Sequence, residues 1–112
     1  MKLETMIFET DGKIGRLTLN RPQLLNAMPL QGALELNSVA ETIRDADDVR
    51  VVLIRGAGRA FCTGIDLKHL AAGKIPAAYF ELWDRALRVL EQAEKIRVQF
   101  FPSPGCISIF TN

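Results

Sequence analysis

The period of the apolar residues changes twice within the first 55 positions, and this restricts the fold more than any other feature of the chain. Residues 14–20 alternate Arg16 and Thr18 with Leu17 and Leu19, the period of a strand with one wet face and one dry face. Leu36, Val39, Ala40 and Ile43 then recur at i, i+3, i+4 and i+7, which predicts an amphipathic helix over residues 29–44 with Pro29 in its first turn. Asp45, Asp47 and Asp48 close that helix in a solvated turn, and residues 49–55 form a β-branched run short enough for a buried strand. A helix joining two strands of one sheet makes a right-handed crossover and leaves them parallel, so a layered α/β fold is predicted. Residues 3–9 supply a further strand, and Asp11-Gly12 folds it back on residues 14–20 as a hairpin. Asn20-Arg21-Pro22 breaks the second arm.

Size and charge narrow the function. A chain of 112 residues is one ordinary domain, and 48% apolar content is enough to build its core. With 14 Lys+Arg against 13 Asp+Glu there is no field to draw the chain onto nucleic acid or an anionic membrane, so an anionic ligand has to be bound locally. Cys62 and Cys106 have no metal-ligand spacing and make no disulfide framework, which predicts a reducing, cytoplasmic setting and no metal. No apolar run nears the roughly 20 residues of a spanning helix, and Glu4 spoils a signal-peptide reading of the start.

Beyond the third strand, residues 56–64 are a glycine-punctuated loop, and a short helix over residues 66–70 is expected to begin at Asp66. Phe80, Trp83, Leu87 and Leu90 step by three or four and predict a second amphipathic helix over residues 77–95, with Glu81, Asp84, Arg85 and Arg88 off its buried face. Residues 97–112 differ in kind. Pro102 and Pro104 interrupt them, and Phe100, Phe101 and Phe110 have no following element to pack against, so mobility or misassociation is expected there.

The chemistry concentrates in Gly58-Arg59-Ala60-Phe61-Cys62-Thr63-Gly64-Ile65-Asp66-Leu67-Lys68. A dinucleotide fingerprint needs glycine where Phe61 stands, and a phosphate-binding P-loop needs a closing Gly-Lys-Ser/Thr that is absent. Glycines after a strand commonly do no more than turn the chain. The lone His69 reads as a surface or capping residue, Asp66 as a helix cap, Cys62 as a small buried filler, and Glu81 and Asp84 as a solvated face.

Taken with its neighbours the block is more specific. Leu19-Asn20-Arg21-Pro22 followed by Leu25-Asn26-Ala27, and then the 58–68 block after a helix and a strand, resemble the enoyl-CoA hydratase/isomerase (crotonase) family over about residues 2–96. The resemblance implies the N-terminal portion of a ββα spiral fold and a substrate that is an acyl-CoA thioester of fatty acid metabolism. Coenzyme A would enter as part of that substrate, with no separate cofactor. Such a thioester reacts when its carbonyl oxygen gains negative charge, and preorganised backbone N–H donors stabilise that oxyanion as it forms. By resemblance the donor here is the N–H of Ile65. Thr63, Gly64, Ile65, Asp66, Leu67 and Lys68 would line the thioester and coenzyme, Lys68 meeting a phosphate, and Gln23, Leu24 and Leu25 would lie near the nucleotide and pantetheine arm.

The family pattern continues with a His-Gly-x-x-x-Gly-Gly-Gly loop that gives the second donor, with the hydratase carboxylates in and beyond it. Residues 97–112 show nothing like it. The chain is therefore divided into a partial crotonase-like domain at 1–96 and a non-matching tail at 97–112. It is expected to be the N-terminal part of such a protein and nearly inert, since one missing donor costs about 10² to 10³ in rate and missing proton-transfer groups a further 10² to 10⁴. The alternative is a non-catalytic interaction module, or a poorly folded remnant. A homo-oligomer or association with a full-length relative is the partner expected in either case, and nucleic acid and membrane are not.

Overall fold

The computed structural model describes residues 2–60, 62, 64–93 and, as backbone, 97–101. Strand β1 (Met6–Asp11) turns through Gly12-Lys13 into β2 (Ile14–Leu19), and helix α1 (Leu30–Asp45) leads to β3 (Val51–Gly56). Helix α2 (Leu67–Ala71) and helix α3 (Ala78–Gln92) follow, and then β4 (Arg97–Phe101). The sheet order is β1-β2-β3-β4. β1 pairs antiparallel with β2, Met6 opposite Leu19, whereas β2 and β3 run parallel with Leu17 beside Ile54. This is the predicted hairpin and crossover.

The core forms where α1 covers the sheet and α3 packs on α1. Leu36, Val39, Ala40 and Ile43, the predicted stripe, are buried with Met6, Leu17 and Leu19 of the hairpin, Val52 and Ile54 of β3, and Ala86 and Leu90 of α3. One charge lies among them. Glu35 is 4% exposed, and its carboxylate accepts from the Glu4 and Thr5 N–H groups, the Thr5 hydroxyl and Gln31 Nε2 at 2.7–3.0 Å. Burial pushes its pKa up, but these donors outweigh burial and hold it below the usual carboxylate value. The strand entering β1 is thereby tied to α1.

Three expectations are corrected. Thr18 is buried, because β2 lies inside the sheet and Arg55 Nε reaches the Thr18 hydroxyl at 3.3 Å, so only Arg16 keeps the wet face. α3 is shorter than predicted, and its predicted face holds at Trp83, Leu87 and Leu90 but not at Phe80, which is 54% exposed while Tyr79 and Ala86 are buried. Tyr79 is drawn inward by a hydrogen bond from its hydroxyl to Met28 O at 2.8 Å, and Phe80, one residue on, has to face out. Against the expectation of mobility or misassociation from residue 97 on, β4 runs parallel to β3 from Val51↔Arg97 to Arg55↔Phe101. It ends immediately before Pro102, which has no N–H to give a ladder. Residues 102–112 lie outside the described residues.

Candidate functional site

The site is built where the segment after β2 meets the segment after β3. A short 3-10 helix, Pro22–Leu24, is followed by Leu25 at φ 53° and Asn26 at φ 57°. Two left-handed residues in a row are costly unless something holds them, and the fully buried Asn26 side chain does so. Its Oδ1 accepts from Arg21 N–H at 2.7 Å, and its Nδ2 donates to Ala57 O at 3.0 Å and Ala60 O at 2.7 Å. The glycine loop is thus tethered to the Arg21–Asn26 turn. Gly58, at φ +79°, lies so near Pro22 that a Cβ there would come within 2.8 Å of the Pro22 Cβ.

One bridge then fixes the turn that carries the predicted donor. Met28 and Ile65 pair as an isolated parallel bridge: Met28 N–H donates to Gly64 O at 2.8 Å, and Asp66 N–H donates to Met28 O at 3.1 Å. A trans peptide is planar, so the Ile65 N–H points opposite to the Gly64 C=O that bonds Met28. It faces away from Met28, and no acceptor meets it among the described residues. Gly64 itself stands at φ +106° with open space around its Cβ position. Tyr79, 1% exposed, adds its hydroxyl to Met28 O, and burial pushes the phenol pKa up, so the hydroxyl stays a donor.

The carboxylate beside the donor is already engaged. Asp66, 6% exposed, caps α2 by accepting from the His69 N–H at 3.1 Å and accepts from Arg21 Nη1 at 3.1 Å. Burial raises its pKa, but the His69 N–H and the Arg21 guanidinium outweigh burial and hold it below the usual carboxylate range. The same Arg21 nitrogen also donates to Ala27 O. The capping reading of Asp66 and the filler reading of Cys62 both hold. Cys62 is fully buried, and burial pushes its thiol pKa up, so it is no nucleophile at neutral pH.

Leu24, Ala27, Ile65, Asp66, Leu67 and Lys68 line a groove of about 440 Å³ beside this bridge. Five of the nine predicted substrate contacts, Leu24, Ile65, Asp66, Leu67 and Lys68, are therefore brought together on it. Gln23 is exposed on the 3-10 helix next to it, Leu25 is half-buried, Gly64 carries the peptide behind it, and Thr63 lies outside the described residues. Leu67 is 73% exposed and presents an apolar wall to solvent. Sequence reasoning missed Arg21 and Tyr79 as builders of the site. Their partners lie 45 and 51 residues away in the chain, beyond the reach of any local pattern.

The family model for enoyl-CoA hydratase/isomerase matches residues 14–95. A Mycobacterium bovis protein named Probable enoyl-CoA hydratase is 37% identical over 93 residues, covering 80% of this chain and 36% of its own. The peroxisomal Delta(3,5)-Delta(2,4)-dienoyl-CoA isomerase of Arabidopsis thaliana is 37% identical over 70 residues, 62% of this chain and 25% of its own. Among solved structures, an enoyl-CoA hydratase/carnithine racemase from Magnetospirillum magneticum superposes with a TM-score of 0.74 at 27% identity, covering 87% of this chain and 39% of that one. The chain spans about a third of the length of mycobacterial relatives of this kind.

Proposed function

Because the chain belongs to the enoyl-CoA hydratase/isomerase family, we propose that it supplies one side of an acyl-CoA thioester site, with the Ile65 N–H as an oxyanion donor. The observation that carries this reading is the Gly64–Ile65 peptide. Its carbonyl is consumed by Met28, no acceptor meets its N–H among the described residues, and Ile65 lines the groove. A thioester carbonyl seated there would accept a hydrogen bond that strengthens as its oxygen becomes negative, which is the property that lowers a barrier. The walls suit the ligand: Leu24, Ala27 and Leu67 offer apolar contact to an acyl or pantetheine chain, and Lys68 offers a cation to a phosphate. Asp66, ionised and held by Arg21 and His69, is no general acid. In this reading the described residues bind and polarise the thioester, and the expected outcome of an assay is that the 112-residue chain alone hydrates a crotonyl thioester no faster than buffer with an unrelated protein.

Isotope-edited infrared spectroscopy of [1-¹³C]crotonyl-CoA tests the donor directly. Bound to the wild-type chain, the labelled carbonyl band should shift to lower frequency. Ile65→Pro deletes the N–H while leaving both bridge bonds, which run through Gly64 O and Asp66 N, and should abolish the shift. A shift that survives in Ile65→Pro would place the donor elsewhere.

A further inference from the structure

We infer that the buried Arg21–Asp66 ion pair is the positioning device for the Ile65 N–H, an inference that rests on the reading of that N–H as the thioester's donor. The turn does not set its own direction. Gly64 has open space around it and a left-handed φ, so nothing steric locks the peptide that carries the N–H. Its orientation is imposed by the two bonds to Met28, and these hold only while the Ala27–Met28 segment and the Gly64–Asp66 segment keep their register. Arg21 spans both. Its Nη1 donates to Ala27 O on one segment and to Asp66 Oδ2 on the other, next in sequence to Met28 on one side of the bridge and to Ile65 on the other.

The energetics point the same way. The Arg21 and Asp66 side chains are 15% and 8% exposed, and a pair so far out of water gains little net stability over well-packed apolar residues. What a guanidinium supplies that Met or Leu cannot is a planar set of donors with fixed directions. Asp66 turns this into placement, because its other oxygen fixes the first turn of α2 through the His69 N–H, directly after Ile65. Displacing a reacting group by about 1 Å can cost on the order of 10² in rate, so a register clamp at this point matters to the chemistry as well as to the fold.

The experiment uses the whole chain and two variants. Arg21→Met removes the clamp and keeps an apolar side chain of similar reach, and Asp66→Asn keeps an oxygen for the His69 N–H while removing the charge that holds Arg21. In the folded fraction of either variant, the low-frequency shift of the bound [1-¹³C]crotonyl-CoA carbonyl should fall to less than half of the wild-type shift. A purely structural role would lower the melting temperature and leave the band of the remaining folded protein in place, which overturns the inference. So would unfolding of both variants, since the pair would then be a stability element. If only Arg21→Met unfolds, Asp66→Asn decides. Without ligand, both variants should broaden the Gly64 and Ile65 amide resonances by exchange. Broadening without a carbonyl shift in the wild type would sink the thioester reading and keep the clamp.

Discussion

At the scale of single residues, two buried polar side chains hold the fold and neither charge nor motif explains why. Glu35 meets no cation among the described residues, and its burial is tolerable because donors surround it. Its folded pKa lies below the unfolded value of about 4.3, so its stabilisation is present above that value and is lost as pH falls through the folded pKa. Glu35→Ala should lower the unfolding free energy near neutral pH by about 3 kcal/mol, because the Glu4 and Thr5 N–H groups lose a charged acceptor. Urea titrations from about pH 6 down to 3 should show the variant less sensitive to acid than the wild type; equal slopes would mean that Glu35 is not the responsible group. Asn26→Ala strands Ala57 O, Ala60 O and the Arg21 N–H, and should cost about 3 kcal/mol in the same assay. The sequence marks Asn26 as part of a motif. It does not reveal the two long-range bonds, because the partners at 57 and 60 are brought near only by the crossover.

At the scale of elements, legibility follows the range of the interaction that decides each one. The α1 stripe is set by its own 3.6-residue period and the hairpin by its turn, and both are found where the pattern places them. The start of α3 is decided by one hydroxyl, Tyr79 to Met28 O across 51 positions, and periodicity is blind to it because Phe80 fits an apolar stripe as well as Tyr79 does. β4 is missed for a related reason: two prolines weigh against a strand, yet both lie beyond Phe101, where the ladder has stopped. The glycine block is readable because its path needs positive φ at Gly58 and Gly64, and residue type reports that freedom directly. Tyr79→Phe should therefore cost about 1 to 2 kcal/mol by denaturant unfolding, whereas Phe80→Ser should stay within about 0.5 kcal/mol. Finding Phe80 the more sensitive position would restore the predicted face.

At the scale of the whole molecule, the proposed donor is a single N–H of a residue that lines a groove, and a thioester site needs further donors and proton-transfer groups around the same carbonyl. The chain spans about a third of the length of its curated relatives, so the proposed donor is tested by supplying the remainder from one of them. A chimera of residues 1–96 with the downstream part of an active relative should recover turnover if the Gly64–Ile65 peptide is correctly aimed. Within that chimera, two neighbouring substitutions separate backbone from side chain. Gly64 stands at φ +106°, and an added Cβ would meet nothing within 4 Å, so Gly64→Val is opposed by conformation and not by a clash. Relief of that strain requires the dihedrals at residue 64 to change, which turns the Gly64 carbonyl off Met28 and swings the Ile65 N–H with it. The rate should fall by about 10² or more. Ile65→Ala keeps the amide and both bridge bonds and only widens the groove, so kcat should stay within about tenfold, with any change appearing in which acyl chains are accepted. If Gly64→Val is benign and Ile65→Ala is crippling, the oxyanion donor is not Ile65, and the loop is a strand-to-helix turn whose glycines serve the chain path alone.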